Sequence, residues 1–101
     1  MTIEILYFEG CPNYSRAVDL VRDVLRELAL EVDLREVQVA DESEAAARSF
    51  SGSPTILVNG VDIEPAVTER TGYTFGCRLY GAVGVPPRHL ILEALRQAVL
   101  L

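Results

Sequence analysis

The residues best suited to chemistry in this 101-residue chain are two cysteines, Cys11 and Cys77, and a single histidine, His89. Cys11 stands in Gly10-Cys11-Pro12-Asn13-Tyr14, directly after an apolar run and directly before a stretch with helical periodicity. A thiolate is the reactive form of cysteine, and the unpaired N–H groups and partial positive charge of a helix N-terminus stabilise it. The placement therefore predicts a nucleophilic thiol; the plainer alternative is a small residue that caps the first helical turn. Cys77 lies far along the chain in Gly76-Cys77-Arg78-Leu79-Tyr80, within a glycine-rich stretch. His89 falls at the start of the last predicted helix and reads as an exposed helix-end residue. Arg16 and Arg78 have the chemistry to pair with a substrate carboxylate or with Glu9, although solvated arginines are the commoner case. Tyr7, Tyr14, Tyr73 and Tyr80 read as core or rim packing. No metal-ligand spacing, phosphate-binding glycine loop or glycosidase-type carboxylate pair is present, and the sequence asks for no cofactor.

Composition bounds the setting of these thiols. Half the residues are apolar, and a chain of this length reads as one domain spanning residues 1–101. It buries roughly two-thirds of its unfolded surface without a disulfide scaffold or structural metal, and two cysteines argue against a disulfide framework. Fifteen acidic against nine basic side chains give a net charge of −6, which excludes nucleic acid and anionic membrane surfaces as natural partners. All nine cations are arginine and they are scattered, which reads as the codon bias of a GC-rich bacterial genome. The stretch from Met1 to Phe8 carries Glu4 in place of a basic n-region, so no secretory signal is expected, and no apolar run approaches the ~20 residues that span a bilayer. These features predict a cytoplasmic protein, where thiols stay reduced unless they turn over in redox chemistry.

The elements that must position the thiols follow from periodicity. Residues 3–8 are rich in β-branched and aromatic types and predict a buried first strand. From Asn13 to about Leu30, Tyr14, Ala17, Val18, Val21, Val24, Leu25 and Leu28 recur at three- and four-residue spacing, an amphipathic helix with Pro12 fitting its first turn. Residues 31–39 predict a second strand, and Asp41 followed by Glu44 a capped short helix through Ser49. Thr55-Ile56-Leu57-Val58, Asn59-Gly60 and Val61-Asp62-Ile63 form a hairpin signal, because both turn positions favour a positive φ. Pro86-Pro87 opens a last helix carrying Leu90, Ile91, Ala94, Leu95, Ala98 and Val99. The order is β-α-β-α-β-β-α, an α/β domain with a four-stranded mixed sheet flanked by helices. Glu64 to Val85, with Gly72, Gly76, Gly81 and Gly84, reads as a long loop, a length more often functional than idle.

This element order, the Cys11-Pro12 pair at the first strand–helix junction, and Pro54 opening the third predicted strand resemble the thioredoxin fold, and its glutaredoxin branch most closely. Gly10-Cys11-Pro12-Asn13-Tyr14 takes the place of the C-P-x-C motif, and Ser53-Pro54-Thr55 through Ile63 is similar to the family's proline–strand–turn–strand segment. The resemblance implies that Pro54 is a cis proline facing Cys11, and that Ser53 offers its backbone to an extended thiol substrate. It implies a substrate site formed by Pro12, Asn13, Tyr14, Ser53, Pro54 and Thr55. It also brings the stretch after Ile63 back to the Cys11 end of the sheet, which makes Cys77 a candidate resolving thiol or second soft-metal ligand, with an incidental free cysteine nearly as good a reading. A disulfide needs Cα atoms within about 7 Å, which glycine-rich chain would permit. Three departures stand out. Tyr14 replaces the second cysteine, Glu9 puts a carboxylate where many glutaredoxins carry a lysine and opposes thiolate formation, and Glu64-Pro65-Ala66-Val67 replaces the glutathione-anchoring segment.

Three functions fit these residues. The first is a thiol–disulfide oxidoreductase in which Cys11 attacks a protein or low-molecular-weight disulfide and the mixed disulfide is released by Cys77 or an external thiol. The second is a soft-metal protein with Cys11 and Cys77 as thiolate ligands for mercury or arsenic; the GCPN, SPT-strand-NG-V-D and CRLY segments resemble small thioredoxin-like proteins found near bacterial mercury-resistance functions. The third is a redox-silent binding module that keeps the proline groove without the chemistry.

Overall fold

The computed structural model describes residues 1–64, 74–78, 80 and 84–100. The alternating apolar residues of the N-terminal run form β1 (Thr2–Tyr7), the strand around which the fold is built. Helix α1 (Tyr14–Glu27) buries Ala17, Val18, Val21, Val24 and Leu25, the stripe predicted from spacing. It starts one residue later than expected, because Asn13 holds the N-cap position and its amide oxygen accepts from Arg16 Nη1 at 3.2 Å. It stops before Leu30 because Ala29 takes a φ of 53° and the Leu30 N–H turns back to the Leu25 carbonyl at 3.0 Å.

Strand β2 (Asp33–Gln38) then runs parallel to β1, from Thr2 opposite Asp33 to Tyr7 opposite Gln38. Helix α2 (Glu42–Ala47) is capped as predicted: the Asp41 carboxylate accepts from the Glu44 N–H at 2.9 Å. It ends ahead of Ser49, whose φ of 60° breaks the helix. Strand β3 (Ser51–Ser53) is followed by β4 (Thr55–Val58), antiparallel to β1, and β5 (Val61–Asp62), antiparallel to β4. Asn59 and Gly60, with φ of 51° and 81°, make the predicted tight turn between them. Helix α3 (Arg88–Leu100) closes the described chain.

The architecture is thus α/β, with a mixed four-stranded sheet in the order β2-β1-β4-β5 and three helices among the described residues. Strand alternation sorts the core onto two faces. Ile3 and Ile5 of β1, with Ile56 and Val58 of β4, meet Val18, Val21, Val24, Ile91 and Leu95 of α1 and α3. Leu6 and Leu57 point the other way and pack with Val39, Ala45 and Phe50. No helix among the described residues is long and apolar enough to cross a membrane.

One expectation is corrected. The stretch from Glu64 to Val85 is not wholly loop: it contains β6 (Thr74–Cys77), which pairs in parallel with β3 as a second, two-stranded sheet. The physical reason is a close approach. Gly52 has a φ of 97°, and a Cβ there would lie 3.0 Å from Arg78 Cβ, so only glycine lets the two segments meet. Tyr73, Gly72 and Gly81 lie outside the described residues.

Candidate functional site

Cys11 sits in the turn between β1 and α1, two residues ahead of the Asn13 N-cap. Its N–H donates to the Phe8 carbonyl at 3.2 Å, which folds the turn back on the end of β1, and its side chain is half-buried. Gly10 supports the turn with a φ of 84°. Pro12 is exposed, while Asn13 and Tyr14 are half-buried. Asn13 packs against Gly84, where a Cβ would collide with the Asn13 amide. That contact brings the segment before α3 against the Cys11 turn.

Tyr14 holds the first turn of α1 to two strands. Its ring stacks on Tyr7 with centroids 3.8 Å apart and an interplanar angle of 11°. Its hydroxyl donates to Glu36 of β2, whose other carboxylate oxygen accepts from Arg22 at 3.3 Å. Partial burial, then the bond to and the charge of Glu36, push the Tyr14 phenol well above its ordinary range, so it remains neutral.

Ser53, Pro54 and Thr55 lie beneath this turn and are fully buried. The Ser53–Pro54 peptide is cis, as the resemblance implies. The Phe8 N–H donates to Ser53 Oγ at 3.3 Å, tying β3 to the end of β1. Across β3, Cys77 is the register partner of Ser53, and the Arg78 N–H donates to the Ser53 carbonyl at 3.0 Å. A continuous path therefore runs from the Cys11 N–H through Phe8 and Ser53 to the Cys77–Arg78 peptide. It places both cysteines at the same end of the four-stranded sheet. Cys77 is exposed, Cys11 is half-buried, and both are free thiols. Cys77 lines a depression of about 570 Å³ with Phe8, Glu9, Gln38, Val39, Ala40 and Gly76. Cys77 thus belongs to a paired strand end and not to a loop.

The structure also joins Arg78 and Tyr80, both noted in the sequence, to Asp62 and Glu64 in a cluster that the sequence did not indicate. Arg78, expected to be solvated, is buried at 4% exposure. Its guanidinium forms a two-bond fork with Asp62 at 2.8 Å on each arm, reaches Glu64 at 3.3 Å, and lies 4.4 Å from the Tyr80 ring centroid. Burial pulls its pKa down, but the bonds to Asp62 and the neighbouring acidic groups more than offset this and hold it above the ordinary value. It also contacts Thr55 Oγ1 at 3.4 Å, a hydroxyl that itself donates to the Gly52 carbonyl at 2.5 Å. The Tyr80 hydroxyl donates to the Pro54 carbonyl at 2.7 Å. Burial pushes the Tyr80 phenol upward against the opposing pull of Arg78. Asp62, Glu64, Arg78 and Tyr80 therefore lock the β6 segment onto β5 and the Pro54 turn. No sequence signal distinguishes such an arginine from a surface one, since its carboxylates are 14 and 16 residues away.

His89 is exposed at the start of α3, and Arg16 bonds to Asn13 and not to Glu9. Among the described residues no three His, Cys, Asp or Glu side chains converge as a metal site.

No curated protein and no solved structure matches the chain. One family profile does, over residues 12–95, the span that begins at Pro12 beside Cys11 and takes in Ser53, Cys77 and most of α3. On that match the chain belongs to the family described as a domain of unknown function, DUF2703.

Proposed function

We propose that this protein is a thiol–disulfide oxidoreductase with a thioredoxin-like, glutaredoxin-like fold, in which Cys11 is the nucleophile and Cys77 the resolving thiol. The observation that carries the proposal is the pairing of Cys77 with Ser53, the residue tied through Phe8 to the Cys11 turn. The sheet order β2-β1-β4-β5, with β4 antiparallel to β1, supports the fold assignment.

In the first step the Cys11 thiolate attacks one sulfur of a disulfide; the Cys11–sulfur bond forms, the substrate S–S bond breaks, and one thiolate leaves and takes up a proton. In the second, the Cys77 thiolate attacks Cys11 Sγ and expels the second substrate thiol. The substrate disulfide is reduced to two thiols while the protein dithiol is oxidised to Cys11–Cys77. A low-molecular-weight thiol in a reducing compartment such as the cytoplasm returns the protein to its dithiol form. Pro12, Asn13 and Tyr14 shape the approach to Cys11, and buried Ser53, Pro54 and Thr55 form the floor that fixes both cysteines.

Single-cysteine variants test the assignment. Cys11→Ser is expected to slow reduction of 2-hydroxyethyl disulfide by at least about a hundredfold. Cys77→Ser is expected to accumulate the mixed disulfide on Cys11, visible by intact mass. Wild-type turnover by Cys11→Ser would overturn the proposal.

A further inference from the structure

Resting on that reading, we infer that the site takes small, non-peptidic disulfides, because the chain has filled its own peptide-binding edge with β6. An exposed strand edge beside a reactive thiol is where an extended polypeptide would add as a further strand, bonding through its main chain. The edge linked to the Cys11 turn through Phe8 is that of β3, and it is taken. Ser51 pairs with Thr74 and Ser53 with Cys77. The Arg78 N–H occupies the Ser53 carbonyl at 3.0 Å, and the Tyr80 hydroxyl occupies the next carbonyl, that of Pro54, at 2.7 Å. Both acceptors that an incoming peptide would use are therefore bonded from within.

The internal strand is held firmly. The Arg78 fork to Asp62 is shielded from water, with side-chain exposures of 3% and 11%. Gly52, with a φ of 97°, allows a close backbone contact with Arg78 that a side chain would strain. An incoming peptide would have to displace these bonds before gaining its own. Beside this edge, a depression lined by Phe8, Glu9, Gln38, Val39, Gly76 and Cys77 stays open. It is concave and reaches Cys77, which suits a compact ligand. The strand that excludes a peptide also delivers the resolving thiol, so exclusion and resolution have one structural cause.

The test compares two disulfides with the same leaving group on the reduced wild-type protein: 2-hydroxyethyl disulfide, and an extended decapeptide whose central cysteine is joined to 2-mercaptoethanol. The peptide is expected to react no faster than the small disulfide, and an unreactive serine analogue of the peptide is expected not to inhibit. In Asp62→Asn, which loosens β6, the peptide is expected to gain about tenfold on the small disulfide. A peptide preference of about tenfold or more in the wild type, equivalent to about 1.4 kcal/mol, would overturn the inference while leaving the oxidoreductase reading intact. A peptide-to-small-disulfide rate ratio in Asp62→Asn unchanged from the wild type, with β6 released as judged by faster hydrogen exchange at the Arg78 amide, would overturn it as well. Failure of Cys11 to react with either disulfide would remove both.

Discussion

At the scale of single residues, two tyrosines add hydrogen bonds to the core and rim packing expected of them. Tyr80 is buried, its hydroxyl is the donor that satisfies the Pro54 carbonyl, and its pKa is raised above the ordinary value. A phenol whose folded pKa exceeds its unfolded value of about 10 contributes stability that is intact below about pH 10 and is lost as pH rises toward the folded pKa. Urea unfolding should therefore show stability holding up to about pH 10 and falling as pH rises above it, with the fall reduced in Tyr80→Phe. The same variant should cost about 1–2 kcal/mol at neutral pH, because it leaves a buried carbonyl unpaired. Tyr14 stands where a dithiol motif has its second cysteine, and its stacking on Tyr7 and bond to Glu36 make it an anchor of the α1 turn. Tyr14→Phe keeps the stack, so Cys11 reactivity should change by less than about threefold; a loss of about tenfold or more would mean that the phenol acts on the thiol itself.

At the scale of elements, the account depends on β6. Arg78 exchanges water for Asp62, Glu64 and the Tyr80 ring, and removing one member of a buried ion pair strands the other. Arg78→Met should lower stability by about 2–4 kcal/mol, toward the smaller figure because Glu64 retains solvent contact. Denaturant titration measures that loss, and the Cys77 amide should lose hydrogen-exchange protection more than the β1 amides do.

The same element marks where the sequence stops being legible. β1, α1, α2, the β4–β5 hairpin and α3 are readable because each carries its own signal: Ile3 and Ile5, the Val18–Val21–Leu25 stripe, the Asp41 cap, Asn59-Gly60, and Ile91 with Leu95. β3 and β6 carry none. Ser-Gly-Ser and Thr-Phe-Gly-Cys lack apolar alternation, and they form strands only because Gly52 admits a neighbour and Arg78 finds carboxylates across the fold. The thiols themselves are legible, as is the cis Ser53–Pro54 peptide; the strand that carries Cys77 is not, since tertiary contacts create it.

At the scale of the whole molecule, a mixed sheet packed on both faces leaves chemistry to its ends. Parallel β1 and β2 finish at the same end, β4 begins there, and β3 with β6 is attached beside them. Cys11 and Cys77, 66 positions apart in the chain, are collected at that end by the hydrogen bonds through Phe8 and Ser53. The central claim is that these two thiols are redox partners. The most direct measurement is to oxidise the fully reduced protein with one equivalent of diamide at low protein concentration, then determine its intact mass and map its peptides without reduction. The account predicts a monomer lighter by two hydrogens, with the Cys11 and Cys77 peptides joined to each other. Persistence of both free thiols, or disulfide-linked dimers in place of the internal bond, would contradict it.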